Sequence, residues 1–169
     1  MPADRFRSPP STLSEQEFVR IYGGVYEHSP WFAVEAWRRE PRETFDTVDG
    51  LAAALRRAVE AADDKAKLAL ISVHPSLAGR VKMSAESTSE QASAGLDNCS
   101  REELAEFRQL NEDYAARFNF PFIKAVRGFT RQEILAEFRA RLANEKQAEF
   151  RTALDEIHKI ARLRLTDLT

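Results

Sequence analysis

The chain has 169 residues, a length typical of one domain, and at this size about two thirds of the unfolded surface can be buried without a disulfide or metal staple. It is 43% hydrophobic and 31% charged, as soluble globular proteins are, and its net charge of −2, from 25 basic and 27 acidic residues, offers no basic face to nucleic acid. Cys99 is the only cysteine, so no internal disulfide can form, and no apolar run reaches the ~18 residues of a membrane span. The N-terminus lacks an apolar signal core, and a cytoplasmic protein is the expectation.

Residues 1–13 carry Pro2, Pro9 and Pro10 among mixed charges and read as an N-terminal arm with the composition of a mobile terminus, ahead of one helical domain over 14–169. Ser14 before Glu15 and Glu17 is a helix start, Phe18, Ile21 and Tyr22 share a face, and Gly23 and Gly24 close the segment. Ser29-Pro30 predicts a second start, with Ser29 as cap and Trp31, Val34 and Trp37 on one face. Thr47 or Asp49 caps a third helix that carries Leu51, Leu55, Ala58, Val59 and Ala62 in register. The run Leu68-Ala69-Leu70-Ile71 suits a buried helix or a strand by periodicity; its leucine and alanine content favours helix, ending near His74 because Pro75 disfavours helical geometry there.

A loop over 79–86 and a short helix from about Thr88 to Ala94 come next. Ser100 with Glu103, and Thr130 with Glu133, are capping boxes for two further helices, the first with Leu104, Phe107, Leu110, Tyr114 and Phe118 as its inner stripe. Residues 122–129 form an irregular apolar loop, and a last helix runs from about Glu145 to Leu163 or beyond. The expected fold class is therefore all-α: a single compact domain of about eight helices, without the heptads of a coiled coil.

Four places carry chemistry. His74 stands at a helix C-terminus, where a cation is favoured by the dipole, and is also the side-chain type that titrates near neutral pH; either role suits it. Ser87-x-x-Glu90 is either a capping box or, with Gln91, an acceptor and donor for a polar ligand. In the apolar loop, Phe122, Ile123, Ala125 and Val126 are expected to be buried, with backbone groups that need partners from neighbouring helices or a ligand; Arg127 suits a pocket cation or a surface ion pair. On the last helix Phe150, Leu154, Ile157 and Ala161 form an inward stripe whose next step is Arg164, which either snorkels at the rim or clamps an oxyanion, while His158 falls off the stripe and reads as peripheral. HExxH and CxxC spacings are absent, so no metal site is expected.

HPSLAGR, ESTSEQASAGL, FNFPFIKAVRG and EIHKIARLRL, in this order and over about Phe18 to Leu165, resemble the OHCU decarboxylase family of urate degradation, OHCU being 2-oxo-4-hydroxy-4-carboxy-5-ureidoimidazoline. The resemblance implies an all-α homodimeric enzyme, without metal or organic cofactor, that decarboxylates OHCU to (S)-allantoin. It implies a catalytic set of His74, Glu90 and Arg164. It implies substrate contacts from Pro75, from Ser87, Thr88, Ser89, Glu90 and Gln91, and from the loop Phe122, Ile123, Lys124, Ala125 and Val126, with Arg127 near the site. Ser76 departs from the acidic residue common after His-Pro in the family, and the loop before Ser87 is short. The competing classes are a non-catalytic helical module binding a ureide or purine-derived ligand, and a structural partner domain.

Overall fold

The computed structural model describes residues 4–77 and 99–169. These hold seven α-helices and no strand, only an isolated antiparallel bridge between Arg5 and Thr47, so the all-α expectation stands. The expected helix at 88–94 lies outside the described residues. The helices are α1 (Glu15–Tyr22), α2 (Trp31–Arg39), α3 (Val48–Glu60), α4 (Asp64–Ser72), α5 (Arg101–Phe118), α6 (Arg131–Leu142) and α7 (Lys146–Asp167). They group into two compact units: residues up to Leu70 with Ile157–Thr169, and Ile71–Glu156.

In the first unit, α1 begins because Ser14 Oγ accepts from the Glu17 amide at 3.2 Å while the Glu17 carboxylate accepts from the Ser14 amide at 3.0 Å. The Ser14 amide and then the Ser14 hydroxyl, both donating to it, hold the Glu17 carboxyl below its ordinary pKa. Phe18 on α1 is fully buried and packs its ring against Tyr22, Trp37 and Phe45 at centroid distances of 5.2, 5.0 and 5.0 Å. Burying such a ring stabilises the fold by about 1.5–3 kcal/mol. α2 starts one residue later than a Ser29 cap would place it. Pro30 is the cap position with no side-chain bond, and the Ser29 hydroxyl instead donates to the Glu27 carbonyl at 2.8 Å. Thr47 is the cap of α3, accepting from the Gly50 amide at 3.1 Å. Gly50 is required there by close approach: a Cβ would lie 2.0 Å from the Thr44 carbonyl oxygen. Residues 4–13 lie on this unit through buried Phe6 and Pro10 and through Ser11, whose amide and hydroxyl donate to Asp46 at 2.9 and 2.7 Å.

In the second unit, Ser100 and Thr130 make the capping boxes that open α5 and α6. Asn119 ends α5 in the left-handed region at φ 59°, its amide donating to the Ala115 carbonyl at 2.9 Å. The core is aromatic: Tyr114 lies 4.5 Å from Phe118, and Phe122 stacks on Phe138 at 3.8 Å and 11°. α7 begins in this unit and ends in the other, as α4 does in the opposite sense.

Candidate active site

His74 follows the last turn of α4, which settles the apolar run as helix up to Ser72. Its amide donates to the Ile71 carbonyl at 3.3 Å, and the residue is only 7% exposed. Pro75 and Ser76 are half-buried beside it. The turn is tied to α5: Asn111 Nδ2 donates to the carbonyl of Leu77. His74, Ser76, Asn111, Glu112, Asn119 and Phe120 line a cavity of about 630 Å³, within the range of small-molecule sites. The other amide atom of Asn111, Oδ1, is buried without a hydrogen-bond partner.

The loop after α5 is irregular, as read from the sequence, and Phe122, Ile123, Ala125 and Val126 are buried at 1, 3, 7 and 3% exposure. It closes on a turn from Phe129 N–H to the Val126 carbonyl at 3.1 Å, with Gly128 at φ 86°. Arg127 is half-buried. Lys124 is buried too; its ammonium lies 2.6 Å from Glu137, 4.0 Å from Glu156 and 3.7 Å from the centre of the Phe129 ring. From inside, Arg141 donates to the Ile123 carbonyl at 2.7 Å and to Glu149 at 2.8 Å, and Tyr114 donates to Glu149 at 2.6 Å. Burial and the Glu149 carboxylate push the Tyr114 phenol well above its ordinary pKa.

Arg164, in the first unit, is buried at 4% exposure. Its guanidinium donates to Glu27 at 2.9 Å and to the Val25 carbonyl at 3.2 Å. The inward stripe of α7 holds for Leu154, Ile157, Ala161 and Arg164, while Phe150 is half-exposed and its neighbour Glu149 is the buried residue. The expectation that His158 is peripheral is corrected. It is 7% exposed, with Nδ1 2.7 Å from the Tyr26 hydroxyl and Nε2 2.8 Å from Glu60. The helix face that buries it is set by Tyr26, which no periodicity on α7 could announce.

The structure thus groups His74 and Pro75 with the 122–127 loop in one unit and places Arg164 in the other. The cluster Ser87, Thr88, Ser89, Glu90 and Gln91 lies outside the described residues. Sequence reasoning missed Glu27, Asn111, Arg141 and Glu149. The first three carry no periodic or motif signal, and Glu149 is displaced by one residue from the stripe that was read. Among the described residues no group of three or more His, Cys, Asp or Glu is arranged to hold a metal ion, and no helix is long and apolar enough to cross a membrane.

Comparison with known proteins adds the remaining constraint. The chain is 44% identical over 155 residues to 2-oxo-4-hydroxy-4-carboxy-5-ureidoimidazoline decarboxylase of Haloferax volcanii, covering 92% of this chain and 90% of that one. It is 40% identical over 156 residues to the uric acid degradation bifunctional protein of Bacillus sp. (strain TB-90), covering 92% of this chain and 30% of that one. In structure it matches a crystal structure of (S)-allantoin synthase with a TM-score of 0.76 and 31% identity, over 94% of this chain and 52% of that chain, so it spans about half the length of that solved protein. The family profile described as OHCU decarboxylase matches residues 11–166, and with these relatives it shows that the chain belongs to the OHCU decarboxylase family.

Proposed function

We propose that this chain decarboxylates OHCU to (S)-allantoin as a step of urate degradation, with His74 carrying the proton. The observation that carries the reading is His74 itself. A buried imidazole, set beyond a helix end by a following proline, lines a cavity whose wall also holds two side-chain amides. This is an arrangement suited to proton transfer beside an amide-rich heterocycle, in a chain of a decarboxylase family.

In the proposed reaction the bond from the ring to the carboxylate breaks, CO2 leaves, and the electron pair moves into the ring. The ring carbon that becomes the stereocentre then takes a proton on one face. His74 supplies or directs that proton, which contributes about 10²–10⁴ in rate for a positioned acid or base. Pro75 fixes the direction of the imidazole. The backbone of Phe122, Ile123, Lys124, Ala125 and Val126 reads the amide edges of the heterocycle. Glu90, with Ser87, Thr88, Ser89 and Gln91, orients the ureido group and the hydroxyl, and Arg164 orients oxygen. Arg127 completes the charged surroundings. No metal or organic cofactor takes part. The homodimer and the cytoplasmic location belong to the same proposal, and sedimentation and cell fractionation test them.

The test is direct. OHCU generated fresh from urate is mixed with the protein, and its ultraviolet decay is followed alongside the circular dichroism of the product. Decay faster than the spontaneous rate with (S)-allantoin in excess supports the reading. Decay at the spontaneous rate with racemic product overturns it.

A further inference from the structure

We infer that the face of α5 in the His74 cavity takes the ureido arm of the substrate, with Glu112 as its specificity-determining residue; the inference rests on this cavity taking OHCU. Asn111, Glu112, Ala115 and Asn119 line the cavity from α5 and its cap. Steps of three and four residues place Glu112, Ala115 and Asn119 on one strip of the helix, with Asn111 one turn before Ala115. From Glu112 to Asn119 the strip runs about 10 Å along the axis. Ala115 carries no side chain beyond Cβ and leaves room between the two polar ends.

The strip is rich in acceptors and short of donors. Glu112 is exposed, and its carboxylate forms no ion pair among the described residues. Asn111 spends its Nδ2 donor on the Leu77 carbonyl, and its Oδ1 is buried without a donor. Among the described residues that line the cavity, none is lysine or arginine, and His74 is the one basic side chain.

OHCU offers two groups to such a wall, a carboxylate and a ureido arm. A carboxylate laid against α5 meets the like charge of Glu112, which disfavours that pose. The ureido arm is uncharged and brings three N–H donors to a strip of acceptors, which leaves a donor for Glu90 as well. The same wall therefore attracts one group and repels the other, and specificity draws on both. With the arm held on α5, the ring has one orientation in the cavity that His74 also lines, and one face toward the imidazole. A stereospecific proton transfer needs that fixed pose.

The test is calorimetric binding of three rings that differ only in the arm. Hydantoin has none, 5-ureidohydantoin (allantoin) has the neutral arm, and 5-guanidinohydantoin has an arm of the same shape with a positive charge. The unaltered protein should bind the ureido ring more tightly than hydantoin and the guanidino ring more tightly still, since a guanidinium pairs well with a carboxylate. Glu112→Gln keeps the shape of an exposed side chain and removes its charge. It should cut the preference for the guanidino over the ureido ring by roughly three- to fivefold, the scale of an exposed ion pair, and leave hydantoin unmoved. An unmoved preference overturns the inference. So does equal weakening of all three rings, which is what a structural change produces, and so does an unaltered protein that gains nothing from the arm. Timing OHCU decay on the same samples separates the two layers. Accelerated decay with an unmoved preference overturns the role of Glu112 and spares the decarboxylase reading. Decay at the spontaneous rate, with the preference present and lost in Glu112→Gln, overturns the decarboxylase reading and keeps the strip as a ureide site.

Discussion

Arg141 donates from Nη1 to the carbonyl oxygen of Ile123 at 2.7 Å, anchoring the loop of the candidate site from the protein interior. The same guanidinium donates to Glu149, which is fully buried, and lies 4.2 Å from the centre of the Phe122 ring. Arg141→Leu removes the buried cation paired with the Glu149 carboxylate, which keeps its bonds from Tyr114 and Asn144, and takes the Arg141 donor from the Ile123 carbonyl. A loss of about 3–5 kcal/mol is expected from breaking a buried pair on one side, read from the urea midpoint at unchanged slope. A loss below about 1 kcal/mol would mean that the loop is held by its aromatic packing alone.

The Tyr26 hydroxyl and His158 form the corresponding buried contact of the first unit. Burial raises the Tyr26 phenol far above its ordinary pKa, so it keeps its proton, and in the His158 tautomer that carries Nε2–H toward Glu60 the phenol is the donor to Nδ1. Tyr26→Phe should cost about 1–3 kcal/mol of stability and leave kcat unchanged, since among the described residues the Tyr26 hydroxyl bonds to His158, which is assigned no part in the reaction. The raised pKa also fixes a pH dependence. Below the unfolded pKa of about 10 both states keep the proton; above it only the unfolded state loses it, so stability falls as pH rises. Tyr114 is shifted in the same direction by burial and by Glu149. Denaturant titrations between neutral and strongly alkaline pH should therefore show a decline that is shallower in Tyr26→Phe by about 1.4 kcal/mol per pH unit, the slope of one proton.

Asn111 reaches across the cavity wall to the Leu77 carbonyl and so holds the turn that begins at His74. Asn111→Ala should lower kcat by roughly tenfold through misplacement of the imidazole, with KM less affected. Stability should change by only about 1 kcal/mol, the worth of one hydrogen bond. Equal loss in kcat and in the population of folded protein, read by near-ultraviolet circular dichroism, would reduce Asn111 to a structural tie.

Much of this was legible in the sequence because it is local. The boxes at Ser14, Ser100 and Thr130 each resolve within four residues, and Thr47 and Asn119 mark a start and an end by the same short-range chemistry. The stripe of α7 leads to Arg164 but leaves rim and interior open, a choice the structure makes by burying it; the burial of the loop follows from its apolar run. What could not be read is long-range pairing of polar groups. Glu27 precedes Arg164 by 137 residues, and Tyr26 precedes His158 by 132, so no window contains both partners. His158 was misjudged for that reason: its place on α7 says rim, while its partner in another segment makes the site buried. Ser29 misled in a different way, since a serine before proline has the spelling of a cap but here serves the Glu27 carbonyl.

The central claim is that His74 brings the proton to one face of the ring. The measurement that tests it is the enantiomeric composition of allantoin formed from fresh OHCU by His74→Asn, read by circular dichroism while the ultraviolet decay is timed. The asparagine keeps a polar side chain and removes the titrating ring, so the decay should return to the spontaneous rate and the product should be racemic. Retention of the wild-type rate with (S)-allantoin still in excess would contradict the claim.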